Sequence, residues 1–152
     1  MPSGRILYVE DNFDNRILIK RVLEAEGYTV VEAENGLQGV ALARTARPDL
    51  VLMDINLPDI DGYECTNRLR QIETMRGVPV LALTANVLEG EQQKALGAGC
   101  DGYISKPIDV DELPRQIEAH LKKSNGSQKK QPEKVQRTLR RLPLTRFGAR
   151  DD

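Results

Sequence analysis

Five residues that could do chemistry each stand directly after a short apolar run: Glu10 and Asp11 after LYV, Asp54 after VLM, Thr84 after VLAL and Lys106 after YIS. Were these chain positions to converge, three crowded carboxylates would repel, and ionising all of them is costly unless a cation sits among them. A hard divalent ion suits such a group. Magnesium takes oxygen ligands, keeps several waters, and is usually held by one or two carboxylates together with phosphate oxygens. Asp11, Asp54 and a nearby carbonyl could supply that set. Lys106 adds a mobile point charge for phosphate oxygens, and Thr84 adds a hydroxyl donor. The chemistry these residue types suit is phosphoryl transfer.

Positioning them requires elements that bring successive run ends to one rim. Strands are expected at Ile6–Val9, Thr29–Ala33, Leu50–Met53, Val78–Leu83 and Tyr103–Ile104, where short apolar runs lie between turn signals. Helical spacing falls between and after them, at Arg16–Glu26, Leu37–Ala46, Gly62–Ile72, Val87–Leu96 and Val110–Leu121. Asp109 is the expected N-cap of the last, with Asp111 and Glu112 in its positive first turn. Runs such as LVLM and VLAL are apolar on both sides, as parallel strands covered on both faces are. Five β-α repeats therefore predict a doubly wound α/β fold, in which ligands bind beyond the carboxyl ends of the strands.

The composition is that of an ordinary globular chain, 39% apolar and 30% charged. The formal net charge of −1 conceals an asymmetry. Residues 1–121 hold 12 Lys and Arg against 20 Asp and Glu, whereas residues 122–152 hold 10 against 3. A domain over 1–122 and a basic tail over 123–152 are expected, the tail flexible or a short amphipathic helix carrying Val135, Leu139 and Leu142. Cys65 and Cys100 match no metal or redox spacing, and no apolar signal region precedes the first strand. A cytoplasmic protein is expected. No stretch approaches the ~20 apolar residues of a membrane span, so no membrane role is expected either.

The runs LYVEDN, VLMDINLPDIDGYE, LALTAN and AGCDGYISKPID together resemble the response regulator receiver domain of two-component signalling, over roughly residues 5–121. The resemblance implies the flavodoxin-like sheet order 2-1-3-4-5 and makes Asp54 the phosphoacceptor. It also implies that Asp11 is a direct Mg2+ ligand, that Glu10 is one through water, and that Asn56 contributes its backbone carbonyl. Thr84 and Lys106 would bind phosphoryl oxygens, Thr84 and Tyr103 would form the switch, and Lys106–Pro107 would be a cis peptide. The implied donor is a histidine kinase or a histidine phosphotransfer protein. The implied output is a protein partner meeting the face of the fourth helix, fifth strand and fifth helix, with the chain catalysing its own phosphorylation and dephosphorylation but turning over no external substrate.

Taken singly, these residues have plainer readings. Glu10 and Asp11 are also acids suited to a helix N-terminus, Asp54 to Pro58 a turn, Lys106 a loop lysine, Thr84 a strand-end hydroxyl and Tyr103 a core aromatic. His120 is assigned no role. Two other functions remain open. One is a magnesium-dependent phosphatase with an aspartyl nucleophile, although that class carries Asp-x-Asp on its first strand and here Asp54 and Asn56 follow the third. The other is a DNA-binding regulator using the basic tail, thin support because some thirty residues without a helix-turn-helix pattern offer little to read DNA with.

Overall fold

The computed structural model describes residues 4–85 and 88–123. The chain divides into two units, Met1–Leu121 and Lys122–Asp152, and the sheet belongs to the first. The expected tail lies outside the described residues apart from Lys123, and so does Val87, the expected start of the fourth helix.

The strands are β1 (Gly4–Val9), β2 (Tyr28–Ala33), β3 (Leu50–Asp54), β4 (Val80–Thr84) and β5 (Gly102–Ser105). All pair in parallel, in the order β2-β1-β3-β4-β5. The helices are α1 (Phe13–Ala25), α2 (Gly36–Ala46), α3 (Gly62–Leu69), α4 (Glu89–Ala98) and α5, residues 113–123.

Strand periodicity sorts the core into two layers, because successive side chains point to opposite faces. Leu7, Val9, Val51, Met53, Val80 and Ala82 form one cluster with Ala43 of α2, Cys65 and Leu69 of α3 and Ala95 of α4. Ile6, Tyr8, Leu50, Leu52, Leu81, Leu83 and Ile104 form the other, with Ile19 and Leu23 of α1 and Leu113 and Ile117 of α5. Each fully buried Leu or Ile contributes about 1.5–3 kcal/mol, so the two layers fix the register of every strand. Among the described residues no helix is long and apolar enough to cross a membrane.

Several boundaries differ from the expected ones, each for a local reason. Helix α1 begins at Phe13, three residues early, because the Asn12 side chain caps the Asn15 amide at 2.8 Å. Strand β4 starts at Val80 and not Val78, since the Val78 amide is spent on the Met75 carbonyl in a turn and Gly77 has a φ of 85°. Helix α3 stops at Leu69, where Gln71 and Ile72 switch to bonds three residues back, followed by a 3-10 turn at Glu73–Met75 that periodicity did not reveal. Asp109 does accept from the Asp111 and Glu112 amides, at 2.9 and 3.3 Å, but it holds a turn and the helix proper runs from residue 113.

Candidate phosphoryl-transfer site

The register of the sheet explains why acids separated by more than forty residues meet. Val9 is the partner of Met53, so the next step along both strands sets Glu10 beside Asp54, on the same side as Tyr8 and Leu52. Lys106 follows β5 on that side too, two residues past Ile104. Glu10 and Asp54 are each 1% exposed, while Asp11 lies past the strand end and is exposed. One carboxylate oxygen from each of Glu10, Asp11 and Asp54 lies within 4.8 Å of the others.

Lys106 Nζ donates to Asp54 Oδ1 at 2.9 Å and lies 3.8 Å from Glu10 Oε1. The Asn56 amide donates to the same Asp54 oxygen at 3.2 Å. Glu10 accepts from the Asn12 amide at 3.1 Å and from the Tyr8 hydroxyl at 3.3 Å. Its carbonyl accepts from the buried Arg16 guanidinium at 2.7 Å, which ties the first turn of α1 to the end of β1. Burial, reinforced by the neighbouring Asp54, pushes the Glu10 carboxyl from its ordinary 4.5 up to about 7. The Tyr8 phenol is raised as well, by burial and by Glu10, and so stays a hydrogen-bond donor.

This donor set fits a hard cation. Three close carboxylates, all oxygen donors, with one ligand on the solvent side, are what Mg2+ takes alongside its retained waters. The crowding of acids around Glu10, offset only in part by Lys106, is what a divalent charge would relieve.

Thr84 and Tyr103 occupy the opposite face of the sheet. Tyr103 pairs with Ala82, and Thr84, two residues on, pairs with Ser105, so Thr84 and Tyr103 are diagonal neighbours within reach of an aromatic side chain. Thr84 is buried at 7% exposure, whereas Tyr103 is 40% exposed and does not fill the core. The Lys106–Pro107 peptide is cis. His120 lies on α5, its Nδ1 3.0 Å from the Gln116 carbonyl, away from this cluster of acids.

Three residues of the site carried no legible chemical signal in the sequence. Tyr8 reads there as one more apolar strand residue, Arg16 as a helix residue, and Gly62 as helix punctuation. Gly62 is a contact residue: a β-carbon there would lie 2.4 Å from the Asp54 carbonyl oxygen and 2.7 Å from Ile55 Cα, both backbone atoms. Gly62→Ala is therefore expected to destabilise the fold by about 1–3 kcal/mol, an overpacking cost, despite the better helix propensity of Ala. It should also slow chemistry at Asp54. Urea unfolding would measure the first effect, and an unchanged midpoint would show that the backbone at 54–55 yields freely.

The family profile of the response regulator receiver domain matches residues 6–118. The polar-differentiation response regulator DivK of Brucella anthropi is 41% identical over 121 residues, spanning 80% of this chain and 98% of its own. Among solved structures, the receiver domain of a Pseudomonas aeruginosa sensor histidine kinase is 40% identical with a TM-score of 0.73. It was solved with a magnesium ion coordinated in its active-site cleft, and the match covers 79% of this chain and 98% of that one. A CheY-like receiver domain protein of Methanospirillum hungatei is 29% identical with a TM-score of 0.77, covering 83% and 99%. With a profile that reaches all five strands and relatives of this identity matched over nearly their full length, the chain belongs to the response regulator receiver family of two-component signalling.

Proposed function

We propose that Asp54 accepts a phosphoryl group from a phosphohistidine on a sensor histidine kinase or a histidine phosphotransfer protein. The observation that carries this reading is the Lys106 amine, 2.9 Å from Asp54 inside a cluster of three carboxylates at the strand ends. An Asp54 carboxylate oxygen attacks phosphorus, the phosphorus–nitrogen bond breaks, its electron pair leaves with the imidazole, and an acyl phosphate forms. Asp11, Asp54 and the Asn56 backbone carbonyl would hold Mg2+, with Glu10 acting through water. The ion would neutralise phosphoryl oxygens as charge moves onto them. Lys106 supplies a second positive charge to those oxygens and Thr84 a hydroxyl donor, so positioning and electrostatics do most of the work.

A groove of about 270 Å³ opens beside Lys106, lined by Asn15, Leu18, Ile19, Pro107 and Ile108. With Leu18 of its lining exposed, it suits the donor domain. The reading places the chain in the cytoplasm, where its two buried thiols stay reduced. The whole of residues 1–122 acts as the receiver, and the basic tail 123–152 lies beyond it. The test is incubation with acetyl phosphate and Mg2+. One phosphoryl group per chain should appear by mass spectrometry, and hydrolysis of an external phosphoester such as p-nitrophenyl phosphate should stay at background. Label on His120, or sustained phosphoester turnover, would overturn the assignment.

The signal leaves through the face built by α4, β5 and α5. When Asp54 carries phosphate, the Thr84 hydroxyl turns toward a phosphoryl oxygen and vacates space for Tyr103 to rotate inward. Phosphate biases this equilibrium only through its different contacts with the two states, about 1.5–3 kcal/mol for one charged hydrogen bond, or roughly ten- to hundredfold. Thr84→Ala and Tyr103→Ala should each still accept phosphate but lose most of the phosphorylation-dependent gain in partner affinity. Titration of a partner isolated by pull-down on the phosphorylated chain, against phosphorylated and unphosphorylated forms, measures this, and a full wild-type gain in both variants would end the switch model.

A further inference from the structure

The first turn of α2 is capped from two places. A helix begins with amides that have no intrahelical acceptor. Here the Gln38 amide is taken by the cap residue Asn35 at 2.8 Å, whereas the Gly36 and Leu37 amides donate to Asp59, at 2.9 Å to Oδ1 and 2.8 Å to Oδ2. Asp59 is more than twenty residues away, in the loop that leaves β3. These amides hold its carboxyl below the usual carboxylate range, which keeps it a charged acceptor.

The same glycine meets that segment once more, and α3 beside it. A β-carbon at residue 36 would lie 2.5 Å from Ile60 Cγ1 and 3.1 Å from Cδ1, and the Gly36 carbonyl accepts from Cys65 Sγ at 3.4 Å. Gly36 has no positive φ. Its missing side chain therefore serves as space for Ile60 and not as backbone freedom.

The outer arm of the loop, Asp59 and Ile60, is thus seated in a socket on α2. Its inner arm is part of the site. The Asn56 amide donates to Asp54, and the Ile55 carbonyl accepts from both Leu57, at 3.2 Å, and Gly62, at 2.9 Å. The Leu57 bond closes a three-residue turn around Asn56, a geometry that sets the orientation of its peptide.

We propose that Asp59 is a positioning residue for metal binding: seated on Gly36, it holds the Asn56 peptide in one orientation beside Asp54 through the docked loop. The proposal rests on the reading of Asp11, Asp54 and Asn56 as the metal-binding set. A cap that merely stabilises α2 makes a different prediction, because the clash of Gly36→Ala with Ile60 should then cost stability while leaving Mg2+ affinity unchanged.

The experiment titrates Mg2+ alone into the full chain by calorimetry, and separately measures acetyl phosphate labelling across Mg2+ concentration. Asp59→Ala and Gly36→Ala should each raise the Mg2+ dissociation constant and the half-saturating Mg2+ about three- to tenfold, less than the 10- to 100-fold typical when a direct ligand loses its supporting partner. Labelling at saturating Mg2+ should return to within twofold of wild type. The double variant Gly36→Ala/Ile60→Ala, which vacates the space the new β-carbon needs, should recover wild-type Mg2+ affinity to within twofold. Unchanged Mg2+ affinity in Gly36→Ala overturns the proposal, even if Asp59→Ala is destabilised or fails to fold. A wild-type chain that binds Mg2+ but takes no phosphate would overturn the phosphoacceptor reading and leave the positioning role to be decided by the calorimetry. A wild-type chain that binds no Mg2+ overturns both.

Discussion

Asp54→Asn should reduce phosphoryl incorporation from acetyl phosphate to background, and should do so without unfolding the protein. The substitution nearly preserves volume at a side chain that is 1% exposed, and the amide oxygen can still accept from the Asn56 backbone. What disappears is the anionic nucleophile and its charge-assisted bond with Lys106. An amide is a poor nucleophile, and the bound cation would have one negative ligand fewer. The check is mass spectrometry of the intact protein together with far-ultraviolet circular dichroism. A phosphorylated Asp54→Asn variant would move the acceptor elsewhere and undo the assignment, whereas a molten variant would make the loss uninformative about chemistry. The Lys106→Ala variant separates positioning from nucleophilicity, because it keeps the acid and removes only the neighbouring charge. It should label slowly where Asp54→Asn does not label at all.

The second large effect is on the metal and its dependence on pH. Glu10 has a folded value of about 7 against 4.5 for the ordinary carboxyl, raised first by burial and then by Asp54. Between those values the folded chain binds a proton that the unfolded chain has released. Metal-free stability should accordingly be highest below about pH 4.5 as far as Glu10 is concerned, fall as pH rises toward 7, and level off above it. The full fall is on the order of 3 kcal/mol at about 1.4 kcal/mol per pH unit. Mg2+ favours the ionised carboxylate, so it should offset this loss. Thermal melts with and without Mg2+ at pH 5, 6 and 7.5 should show a stabilisation that grows with pH, and Glu10→Gln should flatten that growth. Equal Mg2+ stabilisation at all three values would show that Glu10 does not feel the ion. Asp11→Ala should weaken Mg2+ binding by at least about tenfold by removing a direct charged ligand, as loss of a supporting group alone costs that much. Tyr103→Ala, on the other face of the sheet, should leave it nearly unchanged.

The sequence by itself determined the layer architecture, because its information is periodic and local. Runs such as LVLM are apolar at every position, and that pattern is only stable when both strand faces are covered. The residues that close those runs were legible for a related reason: a polar side chain directly after a buried strand must lie at its end, and in a parallel sheet the carboxyl ends share one rim. Asp54 and Lys106, 2.9 Å apart, were thus placed near each other before any distance was known, although the sheet order came only with the family resemblance.

Tertiary structure decided what local pattern cannot encode. The start of α1 at Phe13 rests on a side-chain cap by Asn12, and the break in α3 rests on bonds that tighten after Leu69. Neither changes the apolar period from which helices are read. Which face each rim residue occupies also follows from register, so Glu10 sits with Asp54 while Thr84 sits with Tyr103 on the opposite face. Gly36 and Gly62 look alike in the sequence as glycines at helix starts. Only packing distinguishes them, since one leaves room for Ile60 and the other for the Asp54 carbonyl. A missing side chain has no chemistry of its own to recognise, and its function becomes visible only when the atoms that occupy its space are in place.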